Sequence, residues 1–213
     1  GTEQFMMAML TDRSVADRLL EQLTEHYIEA VTRQLDAFGE FLDVVQYGDD
    51  LASQQSWLVS PDTYVAMVKP RQRRLFETIR SRTSAKIMFH SCGAVFDVIP
   101  HLIDIGVDVV NPVQVSARGM DTARLKAVYG RDIVFWGGGV DTRTVLNRGS
   151  PADVRKQVLE RLAVFSRGGG FVFNPVHNIL PDVPPENILA MFEAVAEFNG
   201  RGGADLGIGR RRR

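Results

Sequence analysis

The sequence predicts an α/β fold built on a parallel sheet, and three observations lead there. Short apolar runs alternate with longer segments whose apolar residues recur at spacings of three and four. Polar, glycine-rich sequence collects after the apolar runs, and no pattern of antiparallel hairpins competes. A closed (β/α)8 barrel draws its site from the carboxyl ends of several strands, whereas an open doubly wound sheet gathers ligands at one switch point. The distribution of unusual loops along this chain matches the barrel.

Each element has a local reason. Thr11-Asp12-Arg13-Ser14 forms a helix entrance, and Val15, Leu19, Leu20, Leu23, Tyr27, Val31 and Leu35 supply an apolar stripe ending near Gly39. Phe41 to Tyr47 reads as a strand. Ser60-Pro61-Asp62 opens the next helix, with serine as cap and proline in the first turn, and this helix runs to about Ser81 with a break near Pro70. Strands Ala85 to Phe89, Val107 to Asn111, Ile133 to Trp136 and Gly170 to Phe173 then alternate with helices Val95 to Ile105, Thr122 to Tyr129, Ala152 to Ser166 and Pro185 to Phe198.

The chain has 213 residues, 45% hydrophobic, with 25 basic and 26 acidic side chains and a formal charge of −1. This supports one sizeable core and supplies no general field for nucleic acid or anionic lipid. The single cysteine excludes an internal disulfide, and neither a long apolar span nor a secretory leader is legible, so a cytoplasmic location is expected. Arg71, Arg73 and Arg74 read as a solvated helix face or as the rim of an anionic pocket. Residues 1–199 form the folded part, and 200–213 a glycine- and arginine-rich irregular tail. An eight-stranded barrel needs about 250 residues, so the five legible strands predict that about three amino-terminal strands lie outside this chain. Unpaired parallel edges also make a homodimer an expectation.

The strand exits carry the candidate chemistry. His90-Ser91-Cys92-Gly93 holds the only cysteine and places imidazole and thiol two residues apart. They read as two ligands of a zinc ion, with His177 after the last strand as the third, or as ordinary buried packing of a thiol with a hydrogen-bonded histidine. Asp49 or Asp50 offers a further ligand or orients a ligand imidazole. Cys92 as a nucleophile with His90 as base lacks a third orienting residue. Gly138 and Gly139, within Gly137-Gly138-Gly139, let the backbone approach a substrate or simply form a tight turn. Asp141 lines the mouth or caps its own turn. Gln114 and Asn174 are candidate substrate contacts, and His26 and His101 read as surface or interface histidines.

Together, Gly48-Asp49-Asp50-Leu51 with Gln54, Ser60-Pro61, His90-Ser91-Cys92-Gly93, Trp136 to Thr142, and Asn174-Pro175 through Pro184-Pro185-Glu186-Asn187 resemble the uroporphyrinogen decarboxylase superfamily. The resemblance covers Phe5 to Phe198 and implies the carboxyl-terminal half to two-thirds of a (β/α)8 TIM barrel. At His90-x-Cys92 it is closest to the cobalamin-dependent methyltransferase branch, with His177 where that branch has a second cysteine. This implies zinc on His90, Cys92 and His177, catalytic roles for Asp50 or Asp49, and methyl transfer between a small methylated substrate or thiol and a corrinoid carried by a partner protein. The alternative it implies is decarboxylation of uroporphyrinogen in tetrapyrrole biosynthesis, which needs neither metal nor cofactor. A third reading is a non-catalytic partial barrel that serves assembly.

Overall fold

The computed structural model describes residues 1–200 and divides the chain into two compact units. The first comprises residues 1–111 and 117–119; the second comprises 112–116 and, among the described residues, 120–200. The predicted tail beyond residue 200 lies outside the described residues.

In the first unit, the apolar opening residues wind into helix α1 (Thr2–Thr11), and α2 (Arg13–Phe38) follows after Asp12. The Asp12 side chain accepts from Val15 N, satisfying one of the donors that a helix start leaves open. Strand β1 (Val44–Gly48) begins later than expected because Gly39–Phe41 form a 3-10 turn. The next helical stretch starts with α3 (Pro61–Thr63), capped by Ser60, and passes through a π-helical turn (Tyr64–Val68) into α4 (Lys69–Arg80). The expected break near Pro70 is thus a widened turn, with proline held in the first turn of α4, where its missing N–H costs nothing. Strand β2 (Lys86–His90), helix α5 (Ile99–Asp104) and strand β3 (Val109–Asn111) complete this unit.

The three strands are parallel, with Gly48 opposite His90 and His90 opposite Asn111. This register brings three strand ends level. Side chains alternate between the faces of a strand. Tyr47 and Phe89 accordingly pack on the helix side with Phe76 of α4, with ring centroids 5.5 to 6.1 Å apart. Gly48 and His90 belong to the opposite face. Arg71 ties α4 to α2 through Asp17 and Glu21, and Arg74 pairs with Glu21 and Glu25. The arginine cluster therefore joins helices, and Arg73 pairs with Asp104 of α5.

In the second unit, α6 (Thr122–Tyr129) starts at Asp121, whose carboxylate accepts from Arg124 N at 2.8 Å. Strand β4 (Val134–Trp136) pairs in parallel with β5 (Phe171–Val172). Helix α7 (Pro151–Phe165) has a reciprocal Ser150–Asp153 cap, and α8 (Pro185–Phe198) starts on proline. Val154, Val158 and Leu162 pack with Met191 and Ala194 to form the core of this unit. A parallel sheet clothed by helices is what a barrel of this type requires, and the expected fold class stands.

Phe89 is fully buried at the centre of the aromatic group behind β2. Phe89→Ala removes this packing and should cost about 3–5 kcal/mol, read as a lower midpoint in equilibrium denaturant unfolding.

Candidate functional site

The first unit gathers Asp50, His90 and Cys92 at its strand ends, each offering one ligand-type atom, all within 4.8 Å of one another. Backbone geometry brings them together. The ladder between β1 and β2 is carried past Gly48 by Asp49 N, which donates to His90 O at 2.9 Å. Leu51 N then donates to the hydroxyl of buried Ser91 at 3.0 Å, and Cys92 N donates to Asp50 Oδ1 at 2.8 Å. Ala94 N closes the arrangement on Ser53 O at 2.8 Å. Two strand-exit loops are therefore laced to each other residue by residue.

Gly93 is where they approach most closely. Its φ is +95°, and a Cβ there would lie 2.5 Å from the carbonyl oxygens of both Ala52 and Ser53. Glycine meets both the dihedral and the steric requirement.

His90 Nδ1–H donates to Asn111 Oδ1 at 2.7 Å, since a carbonyl oxygen can only accept. The other ring nitrogen, Nε2, is left facing Cys92 Sγ at 3.8 Å. Burial pushes the Cys92 thiol pKa above its ordinary value, and the negative charge of Asp50 raises it further. The site thus holds an oriented imidazole, an exposed carboxylate and a thiol disfavoured as thiolate.

Asp49 points elsewhere. Its carboxylate accepts from Gln72 Nε2 of α4 at 3.0 Å, and burial, offset in part by this bond, raises its pKa. Of the two adjacent aspartates, Asp50 joins the cluster and Asp49 joins the helix layer.

The remaining candidates lie in the second unit. Gly138 and Gly139 are buried: a Cβ on Gly138 would meet Val113 O at 2.9 Å, and one on Gly139 would meet the Phe173 ring at 2.3 Å. Close packing within the unit accounts for both glycines. Asp141 is 5% exposed, and its Oδ1 accepts from Arg143 N, Thr144 N and the Thr144 hydroxyl, so it caps its own turn. Gln114 is half-buried, and Asn174 Nδ2 donates to Pro175 O at 3.1 Å. His177 is exposed and lines a 240 Å³ pocket with Asn174, Asn178, Phe173 and Phe192.

Sequence reading passed over Ser91, Asn111 and Gln72 as partners of the site. Asn111 carried a signal, since it ends the strand next to the one that ends in His90. Gln72 carried none, because its role depends on which face of α4 meets Asp49.

Comparison with known proteins places this geometry. The family model described as "Uroporphyrinogen decarboxylase (URO-D)" matches residues 1–198. The chain belongs to the uroporphyrinogen decarboxylase family. Curated relatives include the uroporphyrinogen decarboxylase of Prochlorococcus marinus strain MIT 9211, 26% identical over 85% of this chain and 48% of the relative. That of Acidiphilium cryptum is 29% identical over 85% of this chain and 47% of its own length. The chain spans about half the length of the curated relatives it matches. A solved methyltransferase from Methanosarcina mazei has the same fold, with a TM-score of 0.72 at 23% identity, covering 93% of this chain and 54% of the other.

These findings correct the expected placement. The match starts at residue 1 rather than Phe5, and the curated relatives just named are decarboxylases, so assignment to the cobalamin-dependent methyltransferase branch is overturned. Methyl transfer to or from a corrinoid protein falls with it. The expectation leaned on His90-x-Cys92, but β2 ends at His90 and Cys92 stands in the loop beyond it, a spacing that brings two ligand-type residues together whether or not they chelate. Here Asn111 and Asp50 engage that segment through hydrogen bonds. Family membership accords with the expected cytoplasmic location, and no helix among the described residues is long and apolar enough to cross a membrane.

Two measurements check the site. Gly93→Ala should cost about 1–3 kcal/mol in backbone strain, plus the displacement of two carbonyls, and should appear as a lower unfolding midpoint. Asp50→Asn removes a charge that disfavours the thiolate, so the pH profile of Cys92 alkylation should move to lower pH. A profile that stays in place or moves up contradicts the electrostatic assignment.

Proposed function

We propose that the strand-end site serves decarboxylation of a uroporphyrinogen, a tetrapyrrole bearing acetate side chains. The observation that carries this reading is the family match running through Asp50, His90 and Cys92, with curated relatives named for that activity. Loss of carbon dioxide from an acetate leaves an electron pair on the methylene carbon. A pyrrole ring that has gained a proton can accept that pair; the methylene carbon then receives a proton and the ring gives its added proton up, so one proton is consumed for each carbon dioxide released. Such chemistry asks for a positioned proton carrier and a group that steadies the ring, and no redox step enters.

His90 is suited to the first task. Its Nδ1–H is engaged by Asn111, which holds the ring and leaves Nε2 to carry the exchanging proton. Asp50 is exposed and offers an acceptor for pyrrole N–H groups.

A second reading attaches to the same donor set. Carboxylate, imidazole and thiol within 4.8 Å fit three positions of a zinc ion. Bound zinc would supply Lewis acidity at the strand ends. The residues themselves would have to give up the Cys92 proton, against the burial that now retains it.

The test is anaerobic incubation with uroporphyrinogen, with partly and fully decarboxylated products separated by chromatography after oxidation. His90→Ala should lower turnover by about 10²-fold or more, the range of a positioned acid–base group. Product formation unaffected by His90→Ala removes the imidazole from the mechanism, and failure to bind the porphyrinogen removes the substrate assignment. Elemental analysis separates the zinc reading: metal near one equivalent, lost in His90→Ala and Cys92→Ala, supports it, and none after metal-replete growth refutes it.

A further inference from the structure

Behind the cluster, on the helix side of β1, lies a polar chain that the proposed chemistry does not use. The Tyr64 hydroxyl donates to Gln72 Oε1 at 2.9 Å, and Gln72 Nε2 donates to Asp49 Oδ2 at 3.0 Å. Tyr64 is fully buried and Gln72 is 3% exposed. Leucine or methionine would fill the place of Gln72 without the cost of burying an amide, which is tolerated here because both of its ends are satisfied.

We propose that Gln72 is a positioning residue: from within α4 it fixes the Asp49–Asp50 corner and thereby sets where the Asp50 carboxylate stands against Cys92. The inference rests on the reading of Asp50, His90 and Cys92 as the working cluster.

The reason lies in what holds the corner. Strand β1 ends at Gly48, so Asp49 and Asp50 have no ladder partner beyond the single bond from Asp49 N to His90 O. Their carboxylates belong to adjacent residues, and like charges repel. Gln72 binds one of them to the rigid helix layer, and the other is then left facing Cys92 N at 2.8 Å. The π-helical turn Tyr64–Val68 lies in the same frame, since it presents the Tyr64 hydroxyl to the amide oxygen of Gln72 and so turns the NH2 group towards Asp49. With Gln72 removed, the two carboxylates are free to separate and Asp50 to swing off Cys92.

The position of Asp50 can be read through Cys92, the only cysteine of the chain. Alkylation by iodoacetamide is timed at one pH, with EDTA present, on the full chain and on Asp50→Asn, Gln72→Leu and the double variant, each checked for folding by circular dichroism. Asp50→Asn should react at least about threefold faster than the parent, and Gln72→Leu should approach that rate. The double variant should react no faster than Asp50→Asn, because both changes act through the same carboxylate. A purely structural Gln72 would loosen the site whether or not Asp50 is charged, so equal acceleration by Gln72→Leu in both backgrounds overturns the proposal. An unchanged rate in Gln72→Leu overturns it as well. An unchanged rate in Asp50→Asn sinks the cluster reading and the proposal together, whereas loss of the Gln72 effect alone leaves the cluster standing. If Gln72→Leu does not fold, Tyr64→Phe, which deletes only the hydroxyl, carries the same comparison: faster alkylation in the parent background alone supports the proposal, and an unchanged rate overturns it.

Discussion

Hydrogen bonding between β1 and β2 does not stop where the strands stop. Asp49 N on His90 O extends the ladder by one step, after which side chains take over: the Ser91 hydroxyl receives Leu51 N, and the Asp50 carboxylate receives Cys92 N. Leu51 and Ser91 are buried, and amide donors left unpaired there would cost as much as a lost hydrogen bond. Satisfying those donors with a serine and an aspartate places a carboxylate beside a cysteine. The same bonds that close the loops therefore assemble the site.

Parallel register gives this lacing its meaning. Gly48, His90 and Asn111 stand level, so an imidazole on the middle strand meets an amide from its neighbour and a carboxylate from just beyond the other. Because the strand period is two, a slip of one residue would send His90 among the aromatic rings of Tyr47 and Phe76 and bring Phe89 to the site face. Those rings, packed edge to face behind the sheet, resist such a slip. The helix layer thus contributes to the site without touching it. The paired aspartates divide along the same line, Asp49 towards Gln72 and Asp50 towards Cys92.

Much of this was legible beforehand, and unevenly. Helices α6 and α8 span the bounds expected of them, and the structure adds the Asp121 cap that starts α6. Four of the five strands proved shorter than the expected runs, and β2 kept its length one residue further on. Val107 and Ile133 are buried but lie outside the paired strands, since burial rewards the side chain while a strand needs a hydrogen-bonded neighbour. Helix α5 begins only at Ile99, where Pro100 supplies a first turn, and not at Val95. The triple glycine was ambiguous for a related reason: Val113 and Phe173, which crowd it, are remote in sequence. His90-x-Cys92 was read too far, as a mark of the methyltransferase branch, because a two-residue spacing at a strand exit reports that two side chains are near each other and not what they hold.

By itself the sequence determined the alternation of apolar runs and helical stripes, the strand ends as the place for chemistry, and the residue types available there. Those follow from local rules, namely side-chain period, capping and proline geometry, which act over a few residues. Only the tertiary structure decided that Asp50 rather than Asp49 faces Cys92, that Asn111 orients His90, and that Gln72 stands behind them. Each of these pairings joins residues from about 20 to more than 40 positions apart. Their choice depends on parallel register and on which side of α4 meets the sheet, and no local pattern carries either.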